Sequence, residues 1–224
     1  MMTKVIFLDC DGVLANSRSL AWKNGDKDEN TDTSSIDLII DPTHQNRPLE
    51  KECVLQLARI IEETGADGVV LSTMWRHYPQ KRSFLVQSLE AHKIPVVGDT
   101  PGGPGRGAEI QAYMQQQTTP LHTFCILDDQ HEASFQSVGL IEHVVQTILC
   151  NEESPGEGEG LTKEKADQAI ALLGRVQERQ SSETKTESTQ YLPTDSSPSA
   201  KQDHPRKRRS SIVRYLSKMK LWNA

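Results

Sequence analysis

The fold is decided by residues 4–17, KVIFLDCDGVLANS, where a short apolar run ends on two acidic residues. The run is rich in β-branched and aromatic side chains, which is typical of a strand buried on both faces of a parallel sheet. Because side chains alternate along a strand, we expect Asp9 and Asp11 to face one side and Cys10 the other. Two carboxylates this close repel each other, so the pair predicts a cation nearby.

Further apolar runs predict the other strands of the same sheet. They occupy residues 67–73, 94–98, 123–129 and 142–147. Apolar residues at helical spacing lie in residues 49–64, 81–92, 108–117 and 162–177. Strands that alternate with helices predict an α/β fold with a doubly wound parallel sheet.

Polar side chains follow the predicted strands where each one ends. Ser72 and Thr73 end the second strand, and Asp128 and Asp129 end another. In an open α/β sheet the ligand binds beyond the carboxyl ends of the strands, so we expect these groups to meet the acidic pair of the first strand. Four acids at one edge require a divalent cation, and ligation by oxygen alone favours Mg²⁺ over zinc.

A magnesium site of this kind suits phosphate chemistry. The metal removes the repulsion between a phosphoryl group and a carboxylate. A carboxylate relieved in this way can attack phosphorus and form an aspartyl-phosphate. A second carboxyl two residues further on can protonate the leaving oxygen and later deprotonate water. Hydroxyl groups at the strand ends and an arginine would hold the phosphate oxygens that face away from the metal.

Several segments resemble the motifs of haloacid-dehalogenase-like (HAD) phosphatases. They are FLDCDGVL at residues 7–14, VVLSTMWR at 69–76 and CILDD at 125–129. The finer resemblance is to the HAD domain of Swiss Army Knife RNA repair proteins, through RGAEI at 106–110 and GLTKEKADQAIALL at 160–173. The resemblance covers about residues 3–175, and the spacing of its segments is its specific part.

The resemblance implies a role for each matching residue. Asp9 would be the nucleophile, and Asp11 the general acid and base. Asp128 and Asp129 would join these two as the metal-binding set, with the main-chain carbonyl of Asp11 as one ligand. Ser72 would donate a hydrogen bond to the phosphate.

The third motif of the family supplies a basic residue. Arg106 is the candidate, because RGAEI opens a helix between the second and fourth motifs. Lys81 and Arg82 lie in the same interval and remain alternatives. Thr73 and Arg76 are predicted to contact the substrate phosphate.

The expected substrate is a phosphate on a macromolecule. No large cap domain fits between the motifs, and an open cleft favours macromolecular ends over small metabolites. The resemblance points to a polynucleotide end. The last 24 residues hold eight Lys or Arg and one Asp, so their formal charge is +7. Because the whole chain has a net charge of −6, the first 200 residues have a net charge of −13. Because nucleic-acid affinity depends on cations, a phosphoprotein is an alternative substrate. A non-catalytic HAD-like module tethered by its basic tail is the alternative from another class.

The predicted domain organisation has three parts. Residues 1–178 form the phosphatase domain, in which 22–46 are a flexible acidic insertion with a composition that buries little apolar area. Residues 179–209 form a disordered linker, and 210–224 a basic amphipathic helix. The basic segment and helix at 204–224 suit nuclear import or docking on an anionic membrane or a protein.

The cysteines and the apolar segments predict where the protein works. Four cysteines without metal-type pairing lie in or beside apolar segments, which favours a reducing compartment. Neither a signal peptide nor a membrane-spanning segment is expected. The prediction is a soluble protein of the cytoplasm, or of the nucleus.

Overall fold

A computed structural model describes residues 3–19, 37–43, 46–119, 121–130, 133–149 and 159–174. Its strands are β1 (Thr3–Leu8), β2 (Leu38–Ile39), β3 (Leu49–Glu50), β4 (Gly68–Leu71), β5 (Val96–Asp99), β6 (Leu121–Asp128) and β7 (Val144–Gln146). Its helices are α1 (Lys51–Thr64), α2 (Pro79–Ala91), α3 (Arg106–Gln116), α4 (Ala133–Gln136) and α5 (Lys163–Gly174). Short 3-10 helices span Met74–His77 and Ile141–His143.

The main sheet is parallel and has the strand order β5-β4-β1-β6-β7. Strand β1 lies at its centre, where Leu8 pairs with Leu71 on one side and with Leu127 on the other. The carboxyl ends of β1, β4 and β6 are therefore level with one another. This register carries the residues that follow the three strands to one edge of the sheet and confirms the predicted α/β fold.

Both faces of the sheet are covered, as strands with continuous apolar runs require. On one face Ile6 and Leu8 of β1, and Cys10 two residues beyond its end, join a cluster that includes α1, α2 and α5. The opposite face presents Val5 and Phe7 to a cluster that includes α3 and α4. Each of these large apolar side chains contributes about 1.5–3 kcal/mol when it is fully buried. Cys10 thus packs in the core, on the face predicted for it.

The helix boundaries differ from the predicted ones by a few residues, for local reasons. Helix α1 begins at Lys51 because the two preceding residues pair in β3 with the antiparallel strand β2. It ends at Gly65, which has a φ of 62° and donates its N–H to the carbonyl of Ile61. Pro79 starts α2 two residues early, since proline suits the first turn of a helix.

Parts of the predicted organisation lie outside the described residues. The acidic insertion at 22–46 is described only at residues 37–43 and 46, and the linker and the basic tail are not described. Among the described residues, none of the helices is both long and apolar enough to cross a membrane.

Candidate functional site

Three carboxylates meet at the carboxyl edge of the sheet. Asp9 follows β1, Asp128 ends β6 and Asp129 comes next, and one oxygen of each lies within 4.8 Å of the others. Asp9 and Asp128 are buried and Asp129 is half-buried. Oxygen ligands at this spacing, without a nearby soft ligand in the group, suit a hard divalent cation such as Mg²⁺.

Gly12 allows Asp129 to lie against the loop that follows β1. Its φ of +79° is in the left-handed region, and a Cβ placed there would come 2.5 Å from the Cβ of Asp129. The space that a side chain would need is therefore occupied by the third acid. This explains why a glycine follows the acidic pair.

Burial of the three acids opposes their ionisation. It raises the pKa of Asp9 from 3.8 to about 7, against the attraction of Arg106 and together with the repulsion of Asp128. Burial likewise raises the pKa of Asp128 to about 6 and the pKa of Asp129 to about 7. A bound cation would reverse these shifts, so the carboxylates present fit a metal site.

Arg106 is the basic group that reaches the predicted nucleophile. Its Nη2 donates a hydrogen bond of 3.1 Å to Oδ2 of Asp9, and its Nε lies 2.9 Å from Oδ2 of Asp128. Burial lowers the pKa of its guanidinium, but these carboxylates outweigh that effect and the pKa is raised. The alternatives have other partners: the ammonium of Lys81 is 5.0 Å from the ring centre of Tyr78 and 5.8 Å from that of Trp75, and Arg82 pairs with Asp99.

Asp11 has partners of its own. Its Oδ1 accepts a hydrogen bond of 3.0 Å from Nη1 of Arg47, and its Oδ2 accepts one of 3.0 Å from Nε1 of Trp75. Its carboxylate is not part of the three-acid group. The predicted metal contact of Asp11 through its main-chain carbonyl stays a prediction.

Ser72 and Thr73 follow β4 but differ in what their hydroxyl groups do. Ser72 is fully buried, and its Oγ has no hydrogen-bond partner among the described residues. Thr73 is fully buried too, and its Oγ1 caps the next 3-10 helix by accepting the N–H of Trp75. The hydroxyl of Ser72 is thus an unpaired donor among the described residues, and the hydroxyl of Thr73 keeps its hydrogen to donate, so the predicted substrate contact of Thr73 stays a prediction.

Arg76 is a buried side chain with several partners. Its Nε donates to the carbonyl of Thr100 at 2.9 Å, and its Nη1 donates to the carbonyl of Thr73 at 2.6 Å. Its Nη2 lies 2.9 Å from a carboxylate oxygen of Glu109, and its side chain is 2% exposed. The guanidinium thus binds backbone carbonyls and this acid, and its predicted contact with substrate stays a prediction.

The sequence analysis missed four residues that shape the site. Arg47 and Trp75 hold Asp11, Gly12 admits Asp129, and Glu109 lies 2.9 Å from Arg76 and 3.7 Å from Nη1 of Arg106. Gly12, Trp75 and Glu109 stand inside the quoted motifs, so the sequence marked their positions but did not indicate which residues they contact. Arg47 stands just after the acidic insertion, outside every quoted motif.

Comparisons with known proteins place the chain in a family. A comparison with curated proteins yields no match. A family model described as the HAD domain in Swiss Army Knife RNA repair proteins matches residues 5–151. The matched range contains the three acids, Ser72 and Arg106, and it supports a HAD-type hydrolase. The chain therefore belongs to the family of HAD domains found in Swiss Army Knife RNA repair proteins.

Proposed function

We propose that the chain is a Mg²⁺-dependent phosphomonoester hydrolase in which Asp9 carries the phosphoryl group. The observation that supports this most is the buried Asp9 carboxylate, which accepts a hydrogen bond from Arg106 and has an oxygen within 4.8 Å of oxygens of two further carboxylates. Asp9, Asp128 and Asp129 would hold the metal, which when bound neutralises the charge of the acids and of the phosphate.

Asp9 is oriented for attack by two hydrogen bonds. The N–H of Cys10 donates to Oδ1 at 2.7 Å, and Arg106 donates to Oδ2 at 3.1 Å. An oxygen of Asp9 attacks phosphorus, the bond to the leaving oxygen breaks, and an aspartyl-phosphate forms. Water then attacks the phosphorus, which releases inorganic phosphate and restores the carboxylate.

Asp11 moves the proton in both steps. As the acid it protonates the leaving oxygen, and as the carboxylate it then takes a proton from the attacking water. Arg47 and Trp75 hold the two oxygens of this group, so they set the direction in which it faces. Ser72 donates its hydroxyl hydrogen to a phosphate oxygen.

A polynucleotide end is the first substrate that we propose, because the family is one of RNA repair domains. A phosphoprotein is the second, since the formal net charge of −6 disfavours nonspecific attraction to nucleic acid. A binding module without catalysis is the rival from another class. The four groups Asp9, Asp11, Ser72 and Arg106 at one sheet edge favour an enzyme.

Hydrolysis of phenyl phosphate with Mg²⁺ tests the proposal. Asp9→Asn removes the nucleophile, so we expect kcat to fall by about 10³-fold or more. The matched control is Asp167→Asn on α5, an exposed acid that pairs with Lys163 and with Arg59 on α1, and its activity should stay within about twofold of wild type. A hydroxylamine-sensitive phosphoryl label should form on wild type and be lost in Asp9→Asn.

Each outcome of this experiment has a defined meaning. Activity that survives Asp9→Asn would exclude Asp9 as the nucleophile. A folded wild-type protein without Mg²⁺-dependent activity on any phosphomonoester would favour the binding module.

A further inference from the structure

Glu109 lies in the first turn of α3 and has no role in the chemistry proposed above. Its side chain is 10% exposed, and its two basic neighbours are buried more deeply: the side chain of Arg76 is 2% exposed and that of Arg106 is 3% exposed. A buried carboxylate is costly unless charges or hydrogen bonds compensate for it. The partners of Glu109 therefore indicate what this acid does in the folded protein.

The two carboxylate oxygens of Glu109 have different partners. Oε1 accepts a hydrogen bond of 3.2 Å from the N–H of Gly103, in the loop that precedes α3. Oε2 lies 2.9 Å from Nη2 of Arg76 and 3.7 Å from Nη1 of Arg106. One oxygen thus connects the loop to the helix, and the other is shared between two buried guanidinium groups.

The guanidinium of Arg106 has a different carboxylate at each of its three nitrogens. Nη2 donates to Oδ2 of Asp9 at 3.1 Å, and Nε lies 2.9 Å from Oδ2 of Asp128. Nη1 forms the ion pair with Glu109. Because a guanidinium is planar and rigid, contacts at three nitrogens fix both its position and the orientation of its plane.

The contact between Glu109 and Arg106 is an ion pair without a hydrogen bond. Its 3.7 Å exceeds hydrogen-bonding distance, and Nη1 has no hydrogen-bond partner among the described residues. The same oxygen of Glu109 is closer to Arg76, so the attraction of Arg76 opposes a closer approach of Glu109 to Arg106. Without Glu109, the guanidinium of Arg106 would be attracted by Asp9 and Asp128 alone.

We propose that Glu109 is the positioning residue for Arg106. It balances the attraction that the acids of the metal group exert on the guanidinium, so that Arg106 donates to Asp9 without closing over its carboxylate. A guanidinium that closed over Asp9 would compete with Mg²⁺ and with phosphorus for the same oxygens. This inference rests on the proposed function, because it takes Asp9 as nucleophile and metal ligand. It goes beyond that function by assigning a role to an acid outside the three-acid group.

The alternative is that Glu109 only stabilises the start of α3. An acid in the first turn of a helix interacts favourably with the helix dipole, and the hydrogen bond from Gly103 holds the preceding loop. A purely structural role would change the folded fraction, but the kinetic constants of the folded protein would stay the same. Measurements on folded protein therefore separate the two explanations.

Glu109→Gln tests the proposal, because the amide keeps an acceptor for Gly103 and loses the charge that acts on Arg106. We expect kcat for phenyl phosphate, per folded protein, to fall by about tenfold or more. The dissociation constant of Mg²⁺, measured by isothermal titration calorimetry, should rise by about tenfold. The matched control is Glu52→Gln, which removes an exposed acid from the first turn of α1 and should leave both constants within about twofold of wild type.

The same substitution in an Arg106→Lys background shows whether Glu109 acts through Arg106. Lysine keeps the positive charge but has no plane to orient, so the positioning effect should disappear, while any direct electrostatic effect of Glu109 on the metal remains. We expect Glu109→Gln to change the Mg²⁺ dissociation constant by less than about twofold in this background. If Glu109→Gln does not fold, Glu109→Asp replaces it, since it withdraws the charge from Arg106 by one methylene, and the same comparison of the two backgrounds applies.

The outcomes separate this proposal from the proposed function. Equal effects of Glu109→Gln in wild type and in Arg106→Lys would overturn the positioning role, because Glu109 would then act without Arg106. A Glu109→Gln protein that loses stability but keeps kcat and Mg²⁺ affinity would also overturn it, and the phosphatase would stand. If wild type binds Mg²⁺ but hydrolyses no phosphomonoester, the proposed function fails, and the Mg²⁺ dissociation constants alone decide about Glu109. A wild type without measurable Mg²⁺ affinity would overturn both.

Discussion

At the scale of single residues, Ser72 has a buried hydroxyl without a hydrogen-bond partner among the described residues. A buried polar group in this state costs about 1–3 kcal/mol, so Ser72→Ala should leave the free energy of unfolding unchanged or raise it. The same change removes a donor to the phosphate, and we expect kcat/KM for phenyl phosphate to fall by about 10²-fold. Thermal unfolding and steady-state kinetics measure the two effects separately.

Ser88 provides the control for this change. Its Oγ is also buried but donates a hydrogen bond of 2.8 Å to the carbonyl of Phe84 on α2. Ser88→Ala should keep its activity and lose about 0.5–1.5 kcal/mol of stability. A Ser72→Ala protein that is less stable than Ser88→Ala, and whose activity falls only with the folded fraction, would show a purely structural serine.

The types of residue at the site could be predicted from the sequence, but several of their partners could not. Acids and a serine that follow buried strands can be predicted to meet, because the carboxyl ends of parallel strands lie at one edge of the sheet. The contact between Asp11 and Arg47 could not be predicted, because the two residues are 36 positions apart and the sequence between Asp11 and Arg47 has no periodicity that fixes its path. Arg76 stands in a motif, yet its neighbours Thr100 and Glu109 become visible only after folding.

At the scale of elements, Arg76 joins three parts of the site. It binds the carbonyl of Thr73 after β4, the carbonyl of Thr100 after β5, and Glu109 on α3. Arg76→Gln should destabilise the protein by about 3–5 kcal/mol, because it leaves the buried Glu109 with less positive charge. It should also lower kcat, since α3 carries Arg106. Urea unfolding and phenyl phosphate kinetics measure these effects.

The matched control is Arg82→Gln. Arg82 lies on α2, is half-exposed and pairs with Asp99 at the end of β5. A pair in that setting contributes about 0–1 kcal/mol, so little change is expected. Adding Glu109→Gln to Arg76→Gln should recover part of the lost stability, with a coupling energy of about 1 kcal/mol or more. Strictly additive losses would show that the two side chains act independently.

The main elements were predicted within a few residues because each carries a long or continuous apolar pattern. Strands β1, β4 and β6 are buried on both faces, and α1 has its stop signal at Gly65. The β2 and β3 pair was missed, since two-residue strands leave no period to detect. That pair also explains why α1 begins later than its apolar spacing predicted.

At the scale of the whole molecule, the three acids couple stability to pH and metal. Burial raises the pKa of Asp9 and of Asp129 to about 7 and that of Asp128 to about 6, from 3.8. A carboxyl with a raised folded pKa contributes stability that is complete below about pH 3.8 and is lost as pH rises through about 6–7. The metal-free protein should therefore lose stability from about pH 4 to pH 7.

Magnesium should remove much of that loss, because it binds the ionised carboxylates of the folded state and not the unfolded chain. The experiment is thermal unfolding between pH 4 and pH 8 in EDTA and in Mg²⁺. The melting temperature in EDTA should decrease across this range, and the gain from Mg²⁺ should grow with pH. A gain from Mg²⁺ that is the same at pH 4 and pH 8 would contradict a site made of these acids.

Cys10 is buried in the core, between the two acids of the first motif, so its rate of alkylation can measure exposure of this part of the chain. Cys10, Cys53 and Cys125 are buried thiols, and burial raises the pKa of Cys10 above its ordinary value, so the folded protein should protect Cys10 from alkylating reagents. Cys150 lies outside the described residues, and a serine there would remove its background. A labelling rate of Cys10 above that of Cys53 and Cys125 would then measure local opening of the chain around Asp9 and Asp11, because global unfolding exposes all three thiols together.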